Sequence, residues 1–428
     1  MTLSRPNLIK LLGPLVVFCA VLVVLLVQSG PQAPDLPALG AGSDVGRPSG
    51  DPVADAQAAV RAAPGSDAAY ASLGDAYLQR ARESGDPSFY TRAERSFDAA
   101  LRRDGADVGA LIGAGTLAGL RHDFAEQLRL GQEARRAAPD LARPYTVVAD
   151  AQIELGRYDH AARSIQRLVD LKPGLAAYAR ASYFRELSGD RAGAVAAMRL
   201  AASAGGTPEN FAYVQALVGD LELARGHGAA AGDAYRSALR ALPSHPQALV
   251  GLARLDAAGG DLSSAAARLR RASERLPLTS TLVLLGAVEL AAGERAQGRA
   301  DLAAARAQQR LYFAAGAAPD ADAVLFEADH GAPLRAVQLG RALWERAPSV
   351  RSADALGWAF VRSDRAAAGL RWSRRALALG SLDPVFRFHS GMAAHAAGRS
   401  GRRDLDVALE GRGLLTPLQA KQAQEALR

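Results

Sequence analysis

The sequence predicts an all-α fold: a solenoid of stacked helix pairs behind a single apolar N-terminal segment. Three observations carry this. Alanine supplies 95 of the 428 residues while aromatic residues make up 6%. Alanine is the best helix former, whereas strands want β-branched and aromatic side chains. Pro139, Pro173, Pro243, Pro277, Pro348 and Pro384 stand 34, 70, 34, 71 and 36 residues apart, one or two periods of a repeat of about 34–35 residues each time. Only one apolar run is long, which sets aside a multi-span membrane protein.

That run covers residues 11–27, LLGPLVVFCAVLVVLLV, without a charge. Arg5 and Lys10 precede it, in residues 1–10, and the first charge after it is Asp35. Seventeen residues are the short end of a membrane-spanning helix and longer than the core of a usual signal peptide. The basic flank stays on the cytoplasmic side, so a single-pass signal anchor is expected with the bulk of the chain extracytoplasmic. A signal peptide cleaved to release a secreted protein is the alternative. Cys19, the one cysteine, lies inside this run, so no intrachain disulfide framework exists. Residues 28–52 hold five Pro and five Gly with little apolar periodicity, the composition of an extended linker.

From residue 53 on, a helical stretch, a Gly-Asp or Gly-Arg break, a second helical stretch and a proline recur. The clearest copy spans residues 142–174: Tyr145, Val148, Ala149 and Gln152, then Gly156-Arg157-Tyr158, then Ala161, Ile165, Leu168 and Pro173. An earlier copy has Tyr70, Leu73-Gly74 and Tyr77, then Ala93, Phe97 and Ala100, with a turn over 83–90 about seven residues longer than the pattern. Others carry Val218-Gly219, Gly226, Ala231, Tyr235 and Pro243; Leu252-Ala253, Gly260-Asp261, Ala265, Leu269 and Pro277; and Leu356-Gly357, Phe360, Gly369 and Ala376. Fainter copies start near Val108, Leu175, Thr279, Ala317 and Asp383.

These positions resemble the tetratricopeptide repeat, W-x2-L-G-x2-Y…A-x3-F…P with a period of 34, in the form of a bacterial membrane-anchored protein. The resemblance implies a right-handed superhelical solenoid of about ten helix–turn–helix repeats over residues 53–413. Residues 55–64 read as a lone capping helix before it, and residues 414–428 hold a C-terminal capping helix. Physical chemistry agrees with the spacing. Residues three and four apart share a helix face, and small residues at Gly74, Ala149, Gly219, Ala253 and Gly357 let paired helices approach. A lone pair cannot bury its apolar face, so the pairs must stack.

The charge excludes more than it assigns. The chain carries +7, with Lys only at Lys10, Lys172 and Lys421 and 48 arginines. No run of five like charges occurs; the densest stretch, residues 362–412, has ten Arg and five acids. This is the composition of a solvated surface, and no nucleic-acid partner is expected. No G-x-S-x-G, P-loop or H-E-x-x-H occurs. Gly113, Gly115 and Gly119 fall within a repeat's first helix and miss the dinucleotide spacing, so close packing explains them. The nearest approach to a metal set is Glu327, Asp329 and His330, on one helix end before Gly331. Three such groups on one turn are the ordinary make-up of a solvated helix end, and no metal or cofactor is assigned. No stretch outside the repeats is long enough for a catalytic domain, so an enzyme is not expected.

In the family the first helices line a concave groove in which peptides lie, and the residue after the Leu-Gly pair points inward. Here that row reads Asp75, Thr116, Asp150, Tyr183, Asp220, Arg254, Ala287, Leu325, Trp358 and Met392. Neighbouring inward positions add Leu78, Ile153, Glu154, Glu186, Phe388 and His395. The row begins acidic and polar and ends apolar, which suits a partner segment with a basic and an aromatic part. A groove that clamps a chaperone tail uses Lys and Asn; this chain has Asn only at Asn7 and Asn210, so that subtype is not expected. The functional expectation is a non-catalytic, membrane-tethered scaffold binding a protein or peptide partner for envelope complex assembly. A metal- or ligand-responsive regulatory module and an accessory subunit of a separately encoded enzyme are the alternatives.

Overall fold

The computed structural model describes residues 50–428. The expected N-terminal region, the membrane anchor at 11–27 and the linker up to residue 49 lie outside the described residues. Among the described residues no helix is long and apolar enough to cross a membrane.

Among the described residues twenty-two α-helices follow one another. Helix α1 (Pro52–Ala62) leads. Pairs one to five are α2 (Asp67–Ser84) with α3 (Ser88–Leu101), α4 (Val108–Leu120) with α5 (Phe124–Ala137), α6 (Arg143–Glu154) with α7 (Tyr158–Leu171), α8 (Leu175–Leu187) with α9 (Arg191–Ser203), and α10 (Pro208–Ala224) with α11 (Gly228–Ala241). Pairs six to ten are α12 (Pro246–Gly259) with α13 (Leu262–Arg275), α14 (Thr279–Ala292) with α15 (Arg295–Ala314), α16 (Ala321–His330) with α17 (Pro333–Arg346), α18 (Val350–Arg362) with α19 (Ala366–Ala376), and α20 (Pro384–Ala396) with α21 (Arg402–Glu410). A 3₁₀ turn (Arg412–Leu414) and α22 (Pro417–Ala426) close the chain.

Local chemistry sets the boundaries. Ser66, Asp107, Asp123, Asp190, Thr207 and Asp261 each cap a helix by accepting a hydrogen bond from a first-turn N–H. Thr416 and Gln419 form a reciprocal capping box on α22. Pro139, Pro173, Pro243, Pro277 and Pro348 each stand two residues past the end of a second helix, as the spacing predicts. Pro384 differs: it is the first residue of α20, capped by Asp383, because α19 has already ended at Ala376. The extra residues of the first repeat lengthen α2 to 18 residues instead of forming a loop.

Side-chain packing follows the period. The Tyr235 ring on α11 is wedged between Gly219 of its own pair and Gly251 of the next, where a Cβ would overlap it. Phe97 on α3 sits the same way between Gly74 and Gly113. Both rings are buried and centre local cores.

The coil then closes on itself. The turns inside pairs one to five land on the connectors that follow pairs six to ten. Gly85 meets Leu276 and Pro277, and its carbonyl accepts from Gln308. Arg121 donates to the Ala315 carbonyl at 3.0 Å, and Ala318 N–H returns to the Arg121 carbonyl at 2.9 Å. Gly156 packs on Pro348, and Val350 N–H donates to the Tyr158 hydroxyl at 2.7 Å. Gly189 faces Gly380, and Arg191 donates to the Leu382 carbonyl. Gly226 faces Glu410. Helix α15, twenty residues long, reaches across the same seam, where Tyr312 packs by Tyr90. The largest core joins both turns: Tyr183, Leu187 and Leu217 from the first, Val350, Ala353 and Phe386 from the second.

Candidate functional site

The first helices of the pairs form the inner row. Closure of the coil turns most of this row into interior. Of the thirteen residues expected to line an open groove, nine are buried: Leu78, Asp150, Ile153, Glu154, Tyr183, Glu186, Asp220, Trp358 and Phe388. Asp75, Arg254 and Met392 are partly covered, and His395 is exposed. The physical reason is the tight winding, which packs one turn of pairs on the next and leaves these positions no open face.

Asp150 and Asp220, buried polar members of the row, are held by partners within the chain. The Asp150 carboxylate accepts from Arg180 Nε at 2.8 Å and Nη2 at 2.7 Å, and the Arg180 side chain has no exposed surface. Its Nη1 donates to the Ala176 carbonyl at 3.0 Å. Asp220 accepts from the Tyr235 hydroxyl at 2.7 Å and from Gln247 at 2.8 Å. Asp75 lies 3.7 Å from Arg143, and burial foremost pushes its carboxyl up to about 6. Arg254 donates to the Leu414 carbonyl at 3.0 Å, tying the C-terminal segment to the inner row. In the second turn, Trp358 stacks on His389 with ring centres 4.4 Å apart and donates to Asp329 at 2.9 Å. His389 Nδ1 is 2.8 Å from Asp354, both buried.

Arg180, Asp354 and His389 are the site residues that motif reading missed. A signal for them exists. Each partner stands about one repeat beyond a carboxylate: Asp150 to Arg180, Asp354 to His389, Asp220 to Gln247. A search for hydrogen-bonding partners about one period beyond each carboxylate would have found them.

Where the two turns meet, buried acids gather. Glu186 is raised well above the ordinary range, first by burial and then by Asp383 across the seam and by Asp220. One of its oxygens has no hydrogen-bond partner. Burial, with Asp354 nearby, pushes Asp383 up to about 7, against the hydrogen bonds it accepts from Val385 and Phe386 N–H. The unfolded chain releases these protons near pH ~4. Between there and about 7 the folded state binds more protons, so its stability falls as pH rises through that window. Thermal melting followed by circular dichroism should show a higher midpoint near pH ~5 than near pH ~8, and Asp383→Asn should shrink the difference. An unchanged midpoint across the window in the wild type would contradict this account.

The metal candidates do not converge. Glu327 faces Arg306 at 3.5 Å and accepts from Ala332 N–H, Asp329 takes Trp358 and Arg362, and His330 packs on Phe326. Among the described residues no group of three His, Cys, Asp or Glu is placed to hold a metal ion.

One cleft of about 400 Å³ opens on the outer side between α19, α20 and α21. It is lined by both leucines and arginines, in contrast to the mostly buried inner row.

The period, the paired helices and the small residues at their crossings define the fold as a solenoid of tetratricopeptide-type helix pairs. No family model and no curated protein matches the sequence. Solved structures similar to it include the human IFIT1 dimer with PPP-AAAA, at 16% identity over 73% of each chain and a TM-score of 0.47. A tetratricopeptide repeat protein from Parabacteroides merdae is 17% identical, covering 57% of this chain and 97% of that one, with a TM-score of 0.41. PilW, a type IV pilus biogenesis factor, is 20% identical, covering 47% of this chain and 92% of its own, with a TM-score of 0.39. At these values the likenesses carry no argument about function, which rests on this chain's own side chains.

Proposed function

We propose that the protein is a non-catalytic binding scaffold that recruits a protein or peptide partner during assembly of an envelope complex. In this reading residues 11–27 hold it at the membrane and the solenoid lies on the extracytoplasmic side. One observation carries the scaffold part: ten helix pairs and their two flanking helices take up nearly all the described chain. Its function is therefore presented by repeat surfaces. The anchor rests on the uncharged run and its basic flank.

The closed coil narrows where a partner can dock. Most of the inner row is buried, and Asp150, Asp220 and Trp358 are committed to in-chain contacts. The partly open inner positions Asp75, Arg254 and Met392, the exposed His395 and the cleft between α19, α20 and α21 remain.

Two measurements test the proposal. A reporter fused after Arg428 should be active only in a form that requires export; activity in the cytoplasmic form would overturn the topology. Crosslinking the full chain in its membrane, followed by affinity capture, should recover a defined protein partner through solenoid residues. Crosslinks confined to residues before 53 would overturn the scaffold reading.

A further inference from the structure

The outer cleft between pairs nine and ten has a chemistry of its own. Leu370 and Leu377 on one side and Ala394 on α20 make an apolar floor. Its one acid, Asp404, is already occupied: Arg387 donates to one oxygen at 2.6 Å and the Ser390 hydroxyl to the other at 2.7 Å. Arg387 is itself held by the Ser381 carbonyl at 2.6 Å, so this trio is a fixed, nearly neutral wall. On the rim stand Arg374 and Arg399, both exposed, and neither makes an ion pair among the described residues. Arg371 on α19 and Arg403 on α21 are likewise exposed and carry no carboxylate partner among the described residues. An apolar floor beneath unpaired guanidiniums attracts a ligand that is apolar at one point and anionic beside it. The volume, about 400 Å³, is at the small end for ligand sites, enough for a few side chains. A bare phosphate would leave the leucine floor empty.

We propose that this cleft is a docking site for an acidic peptide segment. One apolar side chain enters between Leu370, Leu377 and Ala394, and flanking carboxylates pair with Arg374 and Arg399. The proposal rests on the scaffold reading and gives that reading a place and a partner chemistry. The place lies on the outer face, and the charge is opposite to the basic segment that the acidic inner row first suggests.

The test uses the full-length chain in detergent and a short fluorescent peptide of Asp, Glu and Leu, read by anisotropy. Saturable binding that weakens with added salt is expected. The double variant Arg374→Glu with Arg399→Glu should lose affinity by ~10-fold or more, since opposite-charge pairs become like-charge pairs. Arg129→Glu, at an exposed guanidinium already paired with Glu126 and Glu133, should leave affinity unchanged. Leu370→Ser should weaken binding while keeping its salt dependence. Circular dichroism checks that each variant is folded, and Arg374→Gln with Arg399→Gln serves if the reversal unfolds. Equal affinity for a peptide of Lys, Arg and Leu would overturn the proposal. So would full affinity in the double variant, or competition by inorganic phosphate at the peptide's own potency. If membrane crosslinking still captures one partner with wild type and double variant alike, the scaffold stands and the cleft assignment falls.

Discussion

Replacing Asp150 with Ala should cost about 3–5 kcal/mol, the usual result of stranding a buried charge. The Arg180 guanidinium has no exposed surface, and two of its three hydrogen bonds go to that carboxylate. Without Asp150 a buried cation keeps one hydrogen bond, to the Ala176 carbonyl. The damage should begin in pairs three and four and in the core they share with the second turn. Hydrogen exchange should rise in α6 and α8 before it rises in α2 or α14, which belong to other cores. The double replacement Asp150→Leu with Arg180→Met should recover most of the loss, since a well-packed apolar pair of similar volume often matches a buried ion pair. If Asp150→Ala melts with the wild type, the pair is not the anchor its geometry describes. The same reasoning sets a limit on charge reversal at Asp75, Asp150 and Asp220. Weaker capture of a partner by such a variant would report a damaged fold before it reported a groove.

The second large effect is on shape. Changing Gly156, Gly189 and Gly226 together to Ala should part the two turns of the coil while leaving its helices intact. All three have positive φ, +67°, +92° and +76°, where Ala is strained by roughly 1–2 kcal/mol each. Each added Cβ would also press on a carbonyl oxygen of the opposite turn: that of Pro348, that of Gly380 at 2.9 Å and that of Glu410 at 2.7 Å. The atoms nearest each added Cβ all belong to the opposite turn and not to the next pair. Small-angle scattering should therefore report a larger radius of gyration at unchanged helical circular dichroism. An unchanged radius would mean that helix packing alone sets the winding.

Much of this architecture is legible in the residues. Five prolines mark the ends of second helices, and the faint copies at Val108, Leu175, Thr279 and Asp383 begin within a residue of real helices. Pro384 misleads because a proline suits the first turn of a helix as well as the stretch after one. The inner row is also found in sequence, but its exposure is not. Whether Asp150 or Trp358 faces water depends on how far each pair rotates on the last. That rotation is the sum of many small packing choices, and its result appears only in contacts some 190 residues apart, such as Arg191 to Leu382 and Tyr158 to Val350. The outer cleft shows the same division. Composition picks out the arginine-dense stretch from 362 to 412, yet it cannot separate Arg387, turned inward to Asp404, from Arg374 and Arg399 on the rim.

The seam between the turns has a consequence for how such a chain can change. An open solenoid tolerates gain or loss of a repeat, because each unit answers only to its neighbours. Here five turns must each meet one particular connector five pairs later. Duplicating or deleting a pair anywhere between Gly85 and Glu410 would slide some of those meetings out of phase, and a pair lost from the middle would displace them all. The molecule has given up the modularity of its building block. The number of pairs between a turn and its connector is fixed as firmly as in a closed ring.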